Sequence, residues 1–134
     1  MSISSFDDLL QTAQAQPQPQ RLLFVFAGIE LPDDSTPEQR ARFEEGEGGA
    51  LVPLMCVDKT PAELDNFSAL LEESHQLDQD WRIVFAAALS GIGSRPPTSA
   101  EAEQPLQRMV EAIRRGEHDG FIPFDRQGQP VLFG

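Results

Sequence analysis

Apolar residues recur along the chain in two rhythms, one helical and one of unbroken runs. Phe6, Leu9, Leu10 and Ala13 fall at i, i+3, i+4 and i+7, and Ser5 stands three residues before Asp8 in the manner of a capping box, so an amphipathic helix is expected near the start. The stretch 14–20, with Pro17 and Pro19, ends it. Residues 22–29 read Leu-Leu-Phe-Val-Phe-Ala-Gly-Ile, which suits a strand covered on both faces. A second apolar run, 50–57, contains Pro53, which has no N–H for a ladder and predicts a sheet edge or a bulge. A third run within 81–89 includes Ala86, Ala87 and Ala88 and reads as a central strand on which helices can sit close.

Helical patterns separate these runs. Thr36-Pro37-Glu38-Gln39 can cap a short helix through Glu45, before Gly46, Gly48 and Gly49, although 32–49 reads equally as a long surface loop. Thr60-Pro61-Ala62-Glu63 is the clearest local signal, with a capping Thr, Pro at the first helical position and Glu reaching back. The helix expected after it carries Leu64, Phe67, Leu70, Leu71 and Leu77 on one stripe. Leu106, Met109, Val110 and Ile113 repeat the helical spacing, with Pro105 suited to the first turn and Gly116 to a C-terminal stop. Residues 121–124 and 130–133 flank Asp125-Arg126-Gln127-Gly128-Gln129 and predict a hairpin.

Strands alternating with helices predict one α/β domain over 1–134: a mixed, mostly parallel sheet with helices on both faces and a C-terminal hairpin over 121–134. Residues 1–20 supply the N-terminal helix and a Pro/Gln linker. Right-handed crossovers, with Pro53 marking an edge, place the first strand between the second and third. The alternative is an α+β two-layer sandwich in which 32–49 joins the first two strands antiparallel and helices lie on one face.

Composition narrows the function. The 134 residues include 22 Asp or Glu against 10 Lys or Arg, a formal charge of −12, which disfavours nucleic acid and anionic membrane surfaces as partners. Cys56 is the sole cysteine, so the chain forms no internal disulfide and no cysteine zinc cluster. An acidic start and short apolar runs predict no secretory signal and no membrane span, and a cytoplasmic location is expected. No cofactor is expected.

In a parallel sheet, ligands gather outside the carboxyl ends of the strands where the order reverses. That rule brings Gly28 and Glu30 beside Ser90, Gly91, Gly93, Ser94 and Arg95, with Asp58 and Lys59 at the end of the second strand. Ser-Gly-Ile-Gly-Ser-Arg then offers close backbone approach, hydroxyls and a positive charge to a carboxylate or phosphate. The plainer reading is that its glycines only turn a strand into a proline-rich connection. Lys59, the only lysine, could serve as a base or form a Schiff base if desolvated, but a solvated surface cation is expected. Cys56 is expected to be a small buried hydrophobe rather than a nucleophile. His75 falls at a helix margin and His118 in a turn-like Gly-Glu-His-Asp-Gly, without the spaced ligand set of a metal site. Glu44, Glu45 and Glu47 read as a solvated acidic loop, and no Gly-x-Ser-x-Gly elbow is present.

Five segments carry a family resemblance: Arg21-Leu-Leu-Phe-Val-Phe-Ala, Gly48-Gly-Ala-Leu-Val-Pro-Leu-Met-Cys-Val-Asp-Lys, Ile83-Val-Phe-Ala-Ala-Ala-Leu-Ser-Gly, Pro105-Leu-Gln-Arg-Met-Val-Glu-Ala-Ile and Phe124-Asp-Arg-Gln-Gly. Through them the chain resembles short bacterial proteins that carry the label ribonucleotide reductase alpha subunit. That label implies a much longer barrel with a radical cysteine and separate reducible cysteine pairs. Cys56 alone cannot supply such chemistry, so the resemblance brings no reductase site.

Two function classes follow. The preferred one is a noncatalytic module that binds a partner protein or a small ligand, with the edge strand and the C-terminal hairpin offering contacts to a protein partner or a second copy of itself. The other is a small enzyme, or a domain binding a small anionic metabolite, that uses the strand-end cleft.

Overall fold

The first apolar run becomes β1 (Gln20–Glu30), the axis of the molecule. Leu22, Phe24 and Phe26 join one apolar cluster and Leu23, Val25 and Ala27 another, and all six are buried. The period of two sends alternate side chains to opposite faces, so this run demands cover on both. The computed structural model describes residues 5–30, 35–44, 50–64, 66–75, 81–118 and 120–131. In it β1 lies between β2 (Ala50–Lys59) and β3 (Ile83–Ser90), with β4 (Ile122–Phe124) beyond β3.

The first strand thus sits between the second and third as expected, but every neighbouring pair is antiparallel. The mostly parallel sheet expected from the strand–helix alternation is corrected to an antiparallel one. The cause is visible in α2 (Pro37–Glu44), which Thr36 caps by accepting from Gln39 N at 3.2 Å while donating its own N–H to Gln39 Oε1 at 2.9 Å. From Thr36 to Arg42 every residue is exposed, so this helix has no apolar stripe with which to cover the sheet. The chain therefore turns back beside β1 instead of crossing over it. β2 and β3 do point the same way, since each opposes β1, but β1 separates them.

The alternative sandwich anticipated the antiparallel joining of the first two strands, yet helices cover both faces. On one face α1 (Phe6–Gln14), capped by Ser5 Oγ accepting from Asp8 N at 3.2 Å, buries the four residues of its stripe. α3 (Phe67–His75) adds Phe67 and Leu70 to the same cluster. The opposite face belongs to α4 (Ser99–Arg114), whose Ala102, Leu106, Met109 and Ile113 pack over β1 and β2.

Two helix starts differ from expectation. The Thr60 signal opens only a 3-10 turn, Pro61–Glu63, after which Leu64 is extended, and α3 begins again with Asn66 Oδ1 accepting from Ala69 N at 3.1 Å. Asp7 of α1 accepts from Phe67 N at 3.3 Å, which fixes the new start against the first helix. Leu77 lies outside the described residues. α4 begins at Ser99, not near Pro105, because Thr98 and Glu101 form a reciprocal capping box and Pro105 is carried inside the helix. Its end is as expected: Gly116 at φ +78° lets Gly116 N and Glu117 N donate back to Ile113 O and Ala112 O at 3.0 and 2.7 Å.

Pro53 marks both of its expected features. β2 is an edge strand, and its register shifts so that Met55 faces Phe26 and Pro53 faces Ala27, leaving Leu54 as the extra residue of a bulge. The C-terminal turn closes with Asp125 N donating to Gln129 O at 2.9 Å, and its return limb meets β4 through a Phe124–Pro130 bridge and Val131 N to Pro123 O at 3.0 Å. The hairpin's residues 132–134 lie outside the described residues. The turn is tied to the first helix by Phe6 N to Gly128 O at 2.9 Å, over a cluster in which Phe6 touches Phe24, Phe67 and Phe124.

Candidate functional site

The antiparallel register decides which expected site residues can meet. Lys59 lies opposite Leu22 and Ser90 opposite Gln20, so Asp58, Lys59, Ser90 and the turn 91–95 gather where β1 begins. Gly28 faces Val52, and Glu30 faces Ala50, at the other end of β1. Gly28 lies eight residue steps along the strand from Gln20, roughly 27 Å at about 3.4 Å per step. The cleft uniting all nine residues is therefore corrected to a smaller cluster of seven.

Within that cluster each cation already has an anion. Arg21 Nε donates to Asp58 Oδ2 at 2.5 Å, and its Nη1 donates to Pro97 O at 3.4 Å. The other oxygen of Asp58 accepts from Ser99 Oγ at 3.1 Å, which pins the start of α4 to the end of β2. Lys59 Nζ reaches Glu73 of α3 at 2.9 Å, on the opposite face of the sheet. Arg95 Nη2 lies 3.5 Å from Glu101, with both side chains well exposed. Arg21 and Ser99 were not singled out by sequence; the reciprocal Thr98 and Glu101 spacing would have revealed the helix start that brings Ser99 here.

The glycine loop is explained by its own backbone. Ile92 and Arg95 exchange N–H to O bonds at 3.1 and 3.0 Å in a tight turn with Gly93 at φ +61°. A Cβ on Gly91 would stand 2.1 Å from Arg95 O, so Gly91 admits the chain's own carbonyl, not an external anion. Ser90 Oγ accepts from Gln20 Nε2 at 3.0 Å.

Cys56 departs from expectation: it is exposed on the edge strand, because its neighbours' alternation turns it away from the Met55 and Val57 side, while β2 has no further strand beside it. Burial first, and then the negative charge of Asp58, pushes its thiol above the ordinary value of 9.0. That is the opposite of an activated nucleophile. His75 is exposed at the end of α3, and His118 packs its ring 5.4 Å from that of Phe85. Among the described residues no cluster of His, Cys, Asp and Glu could hold a metal, and no helix is long and apolar enough to cross a membrane. Glu45 and Glu47 lie outside the described residues. A shallow trough runs along the outward side of α4 past Gln104 and Arg108, but one helix supplies all of its walls.

What the cluster borders is a sheet edge. β2 presents ten residues with a strand on one side only, and among the described residues no backbone bond reaches its outer side. Residues 50–57 carry no charge, and 51–55 and 57 are half-buried. Compared with family models, curated proteins and solved structures, the chain finds no match in any of the three.

Proposed function

We propose that the chain is a noncatalytic binding module that holds a protein partner along the outer edge of β2. The observation that carries this reading is the ten-residue edge strand, uncharged from 50 to 57 and half-covered along most of that length, whose outward N–H and C=O groups are a template for a further strand. The chemistry beside it supports binding over catalysis. Arg21, Lys59 and Arg95 are each engaged by a carboxylate, and the Cys56 thiol is held in its neutral form.

The test compares partner capture by the native chain with capture by Cys56→Lys, which places a charge on an exposed edge position, and by Cys56→Ser as a neutral control. The reading expects a partner retained by the native chain and Cys56→Ser and lost by Cys56→Lys, with slowed amide exchange confined to β2 in the complex. Thermal stabilisation by a nucleotide, phosphorylated metabolite or dicarboxylate that disappears in Arg95→Ala would overturn it in favour of a ligand-binding domain.

A further inference from the structure

We infer that the C-terminal turn is a clasp: it joins α1, α3 and the hairpin into one cooperative unit that opens as a whole from its face of the sheet. The turn itself is stiff. Asp125 Oδ1 accepts from Gln127 N at 2.8 Å and Gln129 N at 3.0 Å, while Gly128, at φ +77°, donates its N–H to Asp125 O at 3.1 Å. Gly128 O and the root of the Arg126 side chain therefore belong to one rigid body. The ladder to β3 holds that body weakly, since β4 adds only three register positions and Pro123 at the middle one has no N–H to give.

From the turn, four contacts run round a closed ring. Phe6 N, one of the N–H groups that a helix start leaves without an intrahelical acceptor, donates to Gly128 O at 2.9 Å. Phe67 N is the same kind of group in α3, and it donates to Asp7 Oδ1 of α1 at 3.3 Å. Near the other end of α3, Ser74 Oγ accepts from Trp81 Nε1 at 2.9 Å, and the indole lies under Arg126, whose Cζ stands 5.1 Å from the ring centroid. The path thus returns to the turn, and Phe6, Phe67 and Trp81 share the apolar cluster beneath it. Losing any one contact leaves its partner group unmatched on the next segment, which couples the segments to one another. α4 covers the opposite face through a separate cluster.

The experiment is native-state amide exchange of the full chain, read residue by residue, with the ring perturbed at opposite sides. Asp7 is exposed, and Asp7→Ala removes only the acceptor for Phe67 N at the α1–α3 junction. It is expected to lower protection about tenfold in α1, in α3 and also across 122–131, with β1 and α4 unchanged. Asp7→Asn keeps an acceptor without the charge and should stay near native values. Arg126→Gln acts from the hairpin and should lower the same three segments, because coupling between two sites runs both ways. Gly128→Ala sets a Cβ 3.1 Å from the Phe67 ring at φ +77° and should open them too.

Protection lost in α3 alone on Asp7→Ala, with the hairpin at native values, would overturn the clasp. A uniform loss that includes β1 and α4 would do the same, because the unit would then have no opening of its own below global unfolding. If Asp7→Asn proves as damaging as Asp7→Ala, the effect comes from charge at the start of α1 and the relay through Phe67 is refuted. Effects of Arg126→Gln and Gly128→Ala confined to 125–131 equally refute it.

Discussion

Arg21 and Asp58 meet on the diagonal of the β1–β2 ladder: the residue opposite Asp58 is Leu23, and Arg21 reaches along the same face to its carboxylate at 2.5 Å. Their side chains are only 14% and 17% exposed, so solvent screens the pair weakly. Asp58→Ala should cost about 2 kcal/mol, read as a lower urea midpoint at unchanged slope, because it strands a half-buried guanidinium and frees Ser99. Replacing both partners, Arg21→Met with Asp58→Leu, should recover most of the loss. An unchanged midpoint in the single variant would show that the pair contributes nothing.

The same carboxylate acts on Cys56. Removing its negative charge should lower the thiol's apparent pKa and speed iodoacetamide alkylation near pH 8, without bringing the thiol to a reactive cysteine's range, since burial is the larger cause of the upward shift. Alkylation rate against pH, native beside Asp58→Ala, is the measurement. A slower variant would reverse the sign.

Trp81 is buried, and its Nε1 donates to Ser74 Oγ at 2.9 Å while that hydroxyl donates to Leu71 O at 2.6 Å. Ser74→Ala leaves the indole N–H without its acceptor and should destabilise by about 2 kcal/mol. The single tryptophan reports its own environment, so one fluorescence-monitored denaturation series compares both proteins.

Gly91 and Gly93 sit in one turn but are needed for different reasons. Gly91→Ala drives a Cβ against the Arg95 carbonyl, whereas Gly93→Ala meets open space and only the strain of φ +61°. Gly93→Ala should cost about 1 kcal/mol and Gly91→Ala distinctly more. Equal thermal midpoints would contradict this.

Glu63 and Glu101 both have folded-state pKa values below their ordinary 4.5, each chiefly because a threonine N–H at the cap donates to the carboxylate. Unfolded chains therefore bind these protons first as pH falls. The contribution is complete above about pH 5 and is lost as pH drops through the lowered folded values. Glu101→Gln should thus show a shallower loss of stability between pH 5 and 3 than the native chain, measured by urea midpoint at each pH.

Local chemistry was legible wherever a side chain and its effect are near neighbours in sequence: the Ser5 cap, the stripe of α1, the stop at Gly116 and the disruption at Pro53. Strand direction was not, since an apolar run between turn residues reads alike in both directions. One signal was present and undervalued. A helix as polar as Pro37-Glu-Gln-Arg-Ala-Arg-Phe-Glu cannot cover a sheet, so the connection holding it need not be a crossover. Once β1 and β2 oppose each other, Gly28 and Glu30 leave the site, and the pairs Arg21–Asp58 and Lys59–Glu73 replace it. Those pairs join residues 37 and 14 positions apart, beyond any local pattern.

The central place of β1 also sets a timetable for synthesis. Leu22 needs Lys59 on one flank and Ala88 on the other, so a nascent chain holds its most apolar strand half paired until β3 has left the ribosome. α4 must follow before the Leu23, Val25 and Ala27 face is covered. Folding is therefore deferred until β3 and α4 have emerged, and ribosome-stalled chains ending near residue 80 should depend on chaperones where those that also expose α4 do not.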